Sequence, residues 1–172
     1  MRRRISLALV AGMLAIGVAA APVAAAPVAA TGPGTIADIA SGNPNFTTLV
    51  AALVCTDLVG AVSDPDSAKL TVFAPTNDAF RKLGLTARNI CRLPKTLLAK
   101  ILTYHVAPGA LLAEDVVSAR KIQMLSGLYV YPSVRSSGAY LNWYSKITTT
   151  DIHASNGVIH VIDSVLIPYS FR

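Results

Sequence analysis

The chain has 172 residues, 53% of them hydrophobic, and carries 15 Lys+Arg against 9 Asp+Glu for a formal net charge of +6. That length suits one domain built on one core and leaves no room for a second of similar size. Part of the charge and much of the apolar excess lie in the first thirty residues, so these are read apart from the rest.

Arg2, Arg3 and Arg4 precede an apolar run from Ile5 to Val18, and an Ala/Pro/Val-rich stretch with small-x-small sites follows. This is the pattern of an export signal over residues 1–30. The apolar run falls short of the roughly 20 residues that a spanning helix needs, which disfavours the alternative of a retained anchor. Pro22 and Pro27 disfavour cuts directly before them, leaving Ala25/Ala26 or Ala30/Thr31. Without Arg2, Arg3 and Arg4, 12 of the 15 basic residues remain against 9 acidic ones, a net charge of +3. That mild balance does not point to nucleic acid. Residues 31–172 are expected to form a single exported domain with no membrane span once the signal is removed.

Export makes the two cysteines, Cys55 and Cys91, informative, because an oxidising compartment favours a bridge between them over two free thiols. Their spacing has no CxxC character, so they do not read as a metal or redox site.

In chain order, Thr35 is placed to cap a short amphipathic turn, TIADIAS. The stretch NFTTLVAALVCTDLVGAVS reads as one helix, with Phe46, Leu49, Val50, Leu53, Val54 and Leu58 on its apolar stripe and Asn45 or Thr47 as its cap. Asn45-Phe46-Thr47 is also a glycosylation sequon, which matters only on a eukaryotic secretory path. KLTVFAP has strand character, and Thr76, Asn77 and Asp78 then open a short helix, DAFRKLG, closed by Gly84. Pro94 starts the next helix, whose stripe is Leu97, Leu98, Ile101 and Leu102. AEDVV is one more turn, capped by Glu114-Asp115. From Lys121 onward the chain alternates strands with Ser-Gly and Asn-Gly turns. VIHVIDSVLIP is too apolar for an exposed edge strand. Helices early and strands late imply an α+β fold.

The sequence holds no phosphate loop, dinucleotide fingerprint, nucleophile elbow, HExxH or EF-hand. Of the three histidines, His160 inside VIHVID reads as a core residue satisfied by hydrogen bonds. A small metal- or ligand-dependent enzyme using His105, His153 or His160 is the alternative.

Three segments in order, TVFAPTNDAF (71–80), LTYHV (102–106) and NGVIHVIDSVLIP (156–168), closely resemble the signature segments of the fasciclin-like domain. The resemblance runs from about Thr35 to Pro168. It implies a wedge-shaped β-sandwich with several helices packed on it, in secreted or surface proteins used for adhesion, with no catalytic residues and no cofactor. A lone domain behind a short signal points to a bacterial host. By the resemblance, the elbow at Thr76, Asn77 and Asp78 satisfies backbone donors rather than performing catalysis. Asn156, Gly157, His160 and Asp163 match the second signature, with Gly157 expected to permit a left-handed turn. The positions that match adhesion residues of animal matrix members are Asp151, Ile152, Tyr104 and His105. Thr149-Thr150 departs from the residues that precede the Asp-Ile pair there, so integrin binding is not expected.

Two further features are local. Arg81, Lys82, Arg88, Arg92, Lys95 and Lys100 form a basic run without an acidic residue, a candidate patch for an anionic glycan. LYVYPSVRSSGAYLNWY places Tyr129, Tyr131, Tyr140, Trp143 and Tyr144 on two strands joined at Ser136-Ser137-Gly138, a candidate aromatic surface for a protein partner. On strand alternation Tyr140, Asn142 and Tyr144 share one face and Trp143 the other. The expected function is a secreted or surface module that binds an extracellular protein, matrix or glycan without catalysis. A purely structural envelope or matrix component is a third reading.

Overall fold

The computed structural model describes residues 34–66 and 68–168, so the expected signal segment lies outside the described residues. The helices are α1 (Ile36–Gly42), α2 (Thr47–Cys55), α3 (Val59–Ser63), α4 (Asn77–Arg81), α5 (Lys95–Thr103) and α6 (Ala113–Ser118). The strands are β1 (Leu70–Pro75), β2 (Val106–Pro108), β3 (Ile122–Gln123), β4 (Tyr129–Val130), β5 (Pro132–Arg135), β6 (Gly138–Leu141), β7 (Ser145–Ala154) and β8 (Gly157–Ile162). Six strands join in the order β2-β1-β8-β7-β6-β5, and β3 pairs with β4 in a separate ribbon.

The α+β expectation holds, with one topological feature that local pattern does not contain. β1 and β8 pair in parallel, Leu70 opposite Gly157 through Pro75 opposite Ile162, while the other pairings are antiparallel. Both strands are buried along their whole length, because the sheet is covered on both faces. Leu70, Val72, Ala74, Ile159 and Val161 face the helices. Phe73 and Ile162 face the opposite way, toward Met124, Val130, Leu141 and Ile147. The alternation of period two thus sorts one strand between two cores.

Local chemistry explains most helix boundaries. Thr35 Oγ1 accepts from Asp38 N–H and the Asp38 carboxylate accepts from Thr35 N–H, a closed capping box. The Thr35 hydroxyl and N–H hold the Asp38 carboxyl below its ordinary pKa. After α4, Leu85 N–H donates to Phe80 O and Gly84 takes a φ of 72°. Leu98 and Leu102 anchor α5 in the core, each worth about 2 kcal/mol of burial.

The single helix expected from Phe46 to Ser63 is two. Thr56 Oγ1 bonds back to Ala52 O, Asp57 takes a φ of 59°, and Leu58 N–H donates to Leu53 O. A helix stop usually made by glycine is therefore made here by aspartate. Val54 leaves the expected stripe because α2 buries the face of Thr48, Leu49 and Ala52, which puts Val54 on the outer side at 58% exposure. Cys55, ending α2, is bonded to Cys91 across a sequence separation of 36. A loop of that length contributes about 4 kcal/mol on the chain-entropy account.

Candidate interaction surface and its internal supports

The opening elbow of α4 is a hinge with long reach. Thr76 Oγ1 accepts from Ala79 N–H as a cap. Asn77 turns the other way: its Oδ1 accepts from Thr48 N–H (2.9 Å) and from Thr47 Oγ1, and its Nδ2 donates to Pro44 O. The cap of α2 expected from Asn45 or Thr47 is thus supplied by Asn77, a residue far along the chain. Asp78 makes an exposed ion pair with Arg81.

Tyr104 and His105, expected as adhesion residues, are 1% and 2% exposed and present no surface to a partner. His105 Nδ1–H donates to Ile101 O (2.7 Å), and its Nε2 accepts from Leu166 N–H (2.8 Å). Burial pushes its pKa down to about 4, against a smaller opposing effect of the Ile101 carbonyl. The neutral ring is the form that this pair of bonds requires. Tyr104 Oη donates to Tyr129 O (2.9 Å) and accepts from Asn142 Nδ2 (3.0 Å).

The second signature is equally internal. Asn156 is fully buried, its Oδ1 accepting from Ile36 N–H and its Nδ2 donating to Val62 O and Asp64 O. It ties the start of α1 to the end of α3. Gly157 has a near-extended φ of 158° rather than the left-handed turn expected of it. Its glycine requirement is steric, since a Cβ there would lie 1.9 Å from Leu70 O. His160 is fully buried and stacks on Phe73 with ring centres 5.5 Å apart. Its Nε2–H donates to Leu111 O and its Nδ1 accepts from Asp151 N–H.

Asp151 sits at a φ of 58° where β7 loses regular register, and its Oδ1 accepts from Ala113 N–H at the start of α6 (2.8 Å). Asp151 and His160 together clamp the turn into that helix. Ile152 is half-buried opposite Ile159. With both nitrogens of His105 and His160 committed, neither ring has a lone pair to offer a metal. His153 is exposed on β7, and among the described residues no cluster of metal-ligating side chains forms.

The aromatic segment differs from the two-strand reading. Tyr129 belongs to the β3–β4 ribbon, Tyr131 lies between β4 and β5, and β6 ends at Leu141. Asn142 and Trp143 then take φ values of 49° and 72°, so strand alternation stops before Trp143. Asn142 points inward at 2% exposure, whereas Trp143 stands 58% exposed on the turn. Asn142 N–H donates to Tyr131 O and Asn142 Oδ1 accepts from Tyr131 N–H. One buried amide therefore joins the Trp143 turn to the Tyr131 backbone and, through Tyr104, to Tyr129. An Asn within a short turn between strands is the sequence signal for such a bracket. Tyr140 is half-buried under Arg135, and Tyr144 Oη accepts from Ile167 N–H. Lys121 lies over the Tyr129 ring at 4.2 Å.

The basic run is only partly open. Arg81 pairs with Asp78, Lys95 with Asp57, and Lys82 with Asp163 at 3.6 Å. Arg88 and Arg92 are exposed and make no ion pair among the described residues.

Between the helices and the sheet lies a cavity of about 120 Å³ with no polar atom facing into it. Ala40 and Ala74 line it from α1 and β1, and Leu58, Ala61, Thr103 and Leu125 line it where it approaches solvent. No short sequence pattern announced it.

Residues 44–168 match the family profile of the fasciclin domain, and the chain belongs to that family. It is 44% identical over 136 residues to protein sll1483 of Synechocystis sp., covering 78% of this chain and 73% of that protein. It is 38% identical over 136 residues to the immunogenic protein MPB70 of Mycobacterium bovis, covering 77% and 68%. Against the transforming growth factor-beta-induced protein ig-h3 of Sus scrofa it is 35% identical over 135 residues, or 19% of that longer protein. The fold is similar to a FAS1 domain pair from the insect cell adhesion molecule fasciclin I, with a TM-score of 0.66 at 15% identity. This chain spans 52% of that pair, and the match covers 80% of this chain. No helix among the described residues is long and apolar enough to cross a membrane.

Proposed function

We propose that the protein is an exported, non-catalytic adhesion or interaction module, and that the Trp143 turn is its contact with a protein partner. One observation carries this reading. Trp143 is 58% exposed at a φ of 72°, so neither packing nor backbone preference accounts for a bulky aromatic there. Its turn is nevertheless braced from the interior by Asn142 and Tyr104. A rigidly mounted indole with exposed Tyr129 and Tyr131 has the composition of a binding hot spot. In this reading Tyr104 positions the contact surface without touching the partner. The buried histidines, spent on backbone groups, support a module over a metal-dependent enzyme.

A second surface is favoured by one specific observation, the absence of acidic partners at Arg88 and Arg92 among the described residues. These two guanidinium groups suit an anionic glycan.

Salt separates the two. Immobilised mature protein is exposed to extracellular material from its own host at low and at 0.15 M salt, alongside Trp143→Ala and an Arg88→Glu/Arg92→Glu double variant. The Trp143-turn reading expects salt-resistant capture that weakens by about 2 kcal/mol in Trp143→Ala. Capture that instead falls steeply with salt and vanishes in the double variant overturns the Trp143-turn reading in favour of the basic one.

A further inference from the structure

The cavity between the helices and the sheet is enclosed by elements from both ends of the chain: α1, α2 and α3 on one side, and β1, β2 and β8 on the other. Its volume of about 120 Å³ is close to that of an engineered cavity of about 150 Å³ that stays dry and admits benzene or xenon. His105 contributes to the wall, but both its nitrogens are bonded to backbone elsewhere. A charged or hydrogen-bonding group would find no partner inside and would lose its hydration on entry. Leu125 is 50% exposed at the open end, where Leu58 is half-buried and Ala61 exposed. Exposed apolar side chains thus lead directly from solvent into an apolar interior.

We propose that this cavity is a binding site for the methyl end of an unbranched alkyl chain, with the polar end of the molecule left in solvent at the Leu125 rim. Three features select that chemistry. The apolar walls exclude polar groups, the exposed lining residues Ala61 and Leu125 show that the cavity reaches solvent and can admit a chain end, and the volume sets the inserted length. Taking a methylene as about the ~30 Å³ share of a water molecule, the cavity takes about four carbons. The site is separate from the Trp143 turn and from Arg88 and Arg92, so either surface can fail its test without affecting this one.

The probes are 1-alkanols from ethanol to octanol, with benzene as the compact alternative, read by methyl NMR shifts at Leu58, Val72 and Leu102 and by Tm. Affinity is expected to rise about fourfold per added methylene until the cavity is full, and then to level off. Ala40→Leu fills the cavity from α1, and Ala61→Phe obstructs its exposed end without altering the core. Each is expected to weaken octanol binding at least tenfold, while Trp143→Ala leaves it unchanged. If Ala40→Leu fails to fold, Ala61→Phe alone decides. Absence of saturable shifts with octanol in the unmodified protein overturns the proposal. So does equal octanol binding by Ala61→Phe, or benzene binding with no dependence on alkanol length.

Discussion

Tyr104 and Trp143 are both aromatic, one hydrogen-bonded to Asn142 and the other next to it in the chain, yet one is 1% and the other 58% exposed. The segment around Tyr104 and the segment around Trp143 represent two ways for a chain to use polar and aromatic residues. In the first, and in the Asn156–His160 strand, side chains that resemble site residues are consumed by the backbone: Asn156 by three groups, His105 by two, His160 by two. In the second, the indole is left over after the turn has been built. The difference teaches that a residue's presence in a family signature marks structural demand, whereas contact chemistry belongs to positions that the fold supports but does not require. Buried polar groups are costly to leave unsatisfied, which is why the interior set is so closely specified.

The sharpest test of the interior side is Gly157→Ala. A Cβ lying 1.9 Å from Leu70 O forces β8 away from β1 in the centre of the sheet, and a loss of about 4 kcal/mol or more is expected in denaturant titration. A stable Gly157→Ala protein would show that the parallel pairing tolerates separation. Acid comes next. Because burial holds His105 at about 4 while the unfolded imidazole titrates near 6.5, the unfolded chain binds more protons between those values. Stability is therefore fully present above about pH 6.5 and lost as pH falls toward 4, by about 3 kcal/mol in all. Comparing unfolding of the parent and His105→Gln across that window checks the sign, since the variant should lack this component of the slope.

A smaller effect is expected at the elbow. Asn77→Ala removes the acceptor for Thr48 N–H and the donor to Pro44 O, costing about 1–2 kcal/mol, with loss of hydrogen-exchange protection at the first turn of α2. The smallest is at the turn itself: Trp143→Ala should change stability by less than about 0.5 kcal/mol. A loss as large as that at the elbow would mean that the indole is a packing element after all, and the contrast with Tyr104 would collapse.

The shared cavity adds a third behaviour to these two. A fold that only maximised packing would close a volume of about 120 Å³, since at about 24 cal/mol per Å³ such a space costs about 3 kcal/mol. Its small-residue walls come from Ala40 in α1, outside the signature segments, and from Ala74 within the first of them.

What the sequence by itself determined is whatever depends on neighbours a few residues away. The Thr35–Asp38 box, the Thr76 cap, the Gly84 stop and the Pro94 start each close within one helical turn, so spacing alone reveals them. The apolar run of β8, interrupted only by His160, required cover on both faces wherever it lay in the sheet, and the ordered signature segments carried the family. The tertiary structure decided everything that needs a partner from afar. Asn77 caps α2, which lies before α3 and β1 in the chain, and Asn156 joins α1 to α3. Asp151 bonds to the start of α6, 38 residues before it in the chain. The stop at Asp57 was illegible because aspartate is only an occasional left-handed residue. Exposure was illegible at Tyr104 and Trp143 alike, because it is fixed by what packs over a side chain, and that is a property of the assembled layers rather than of any local pattern.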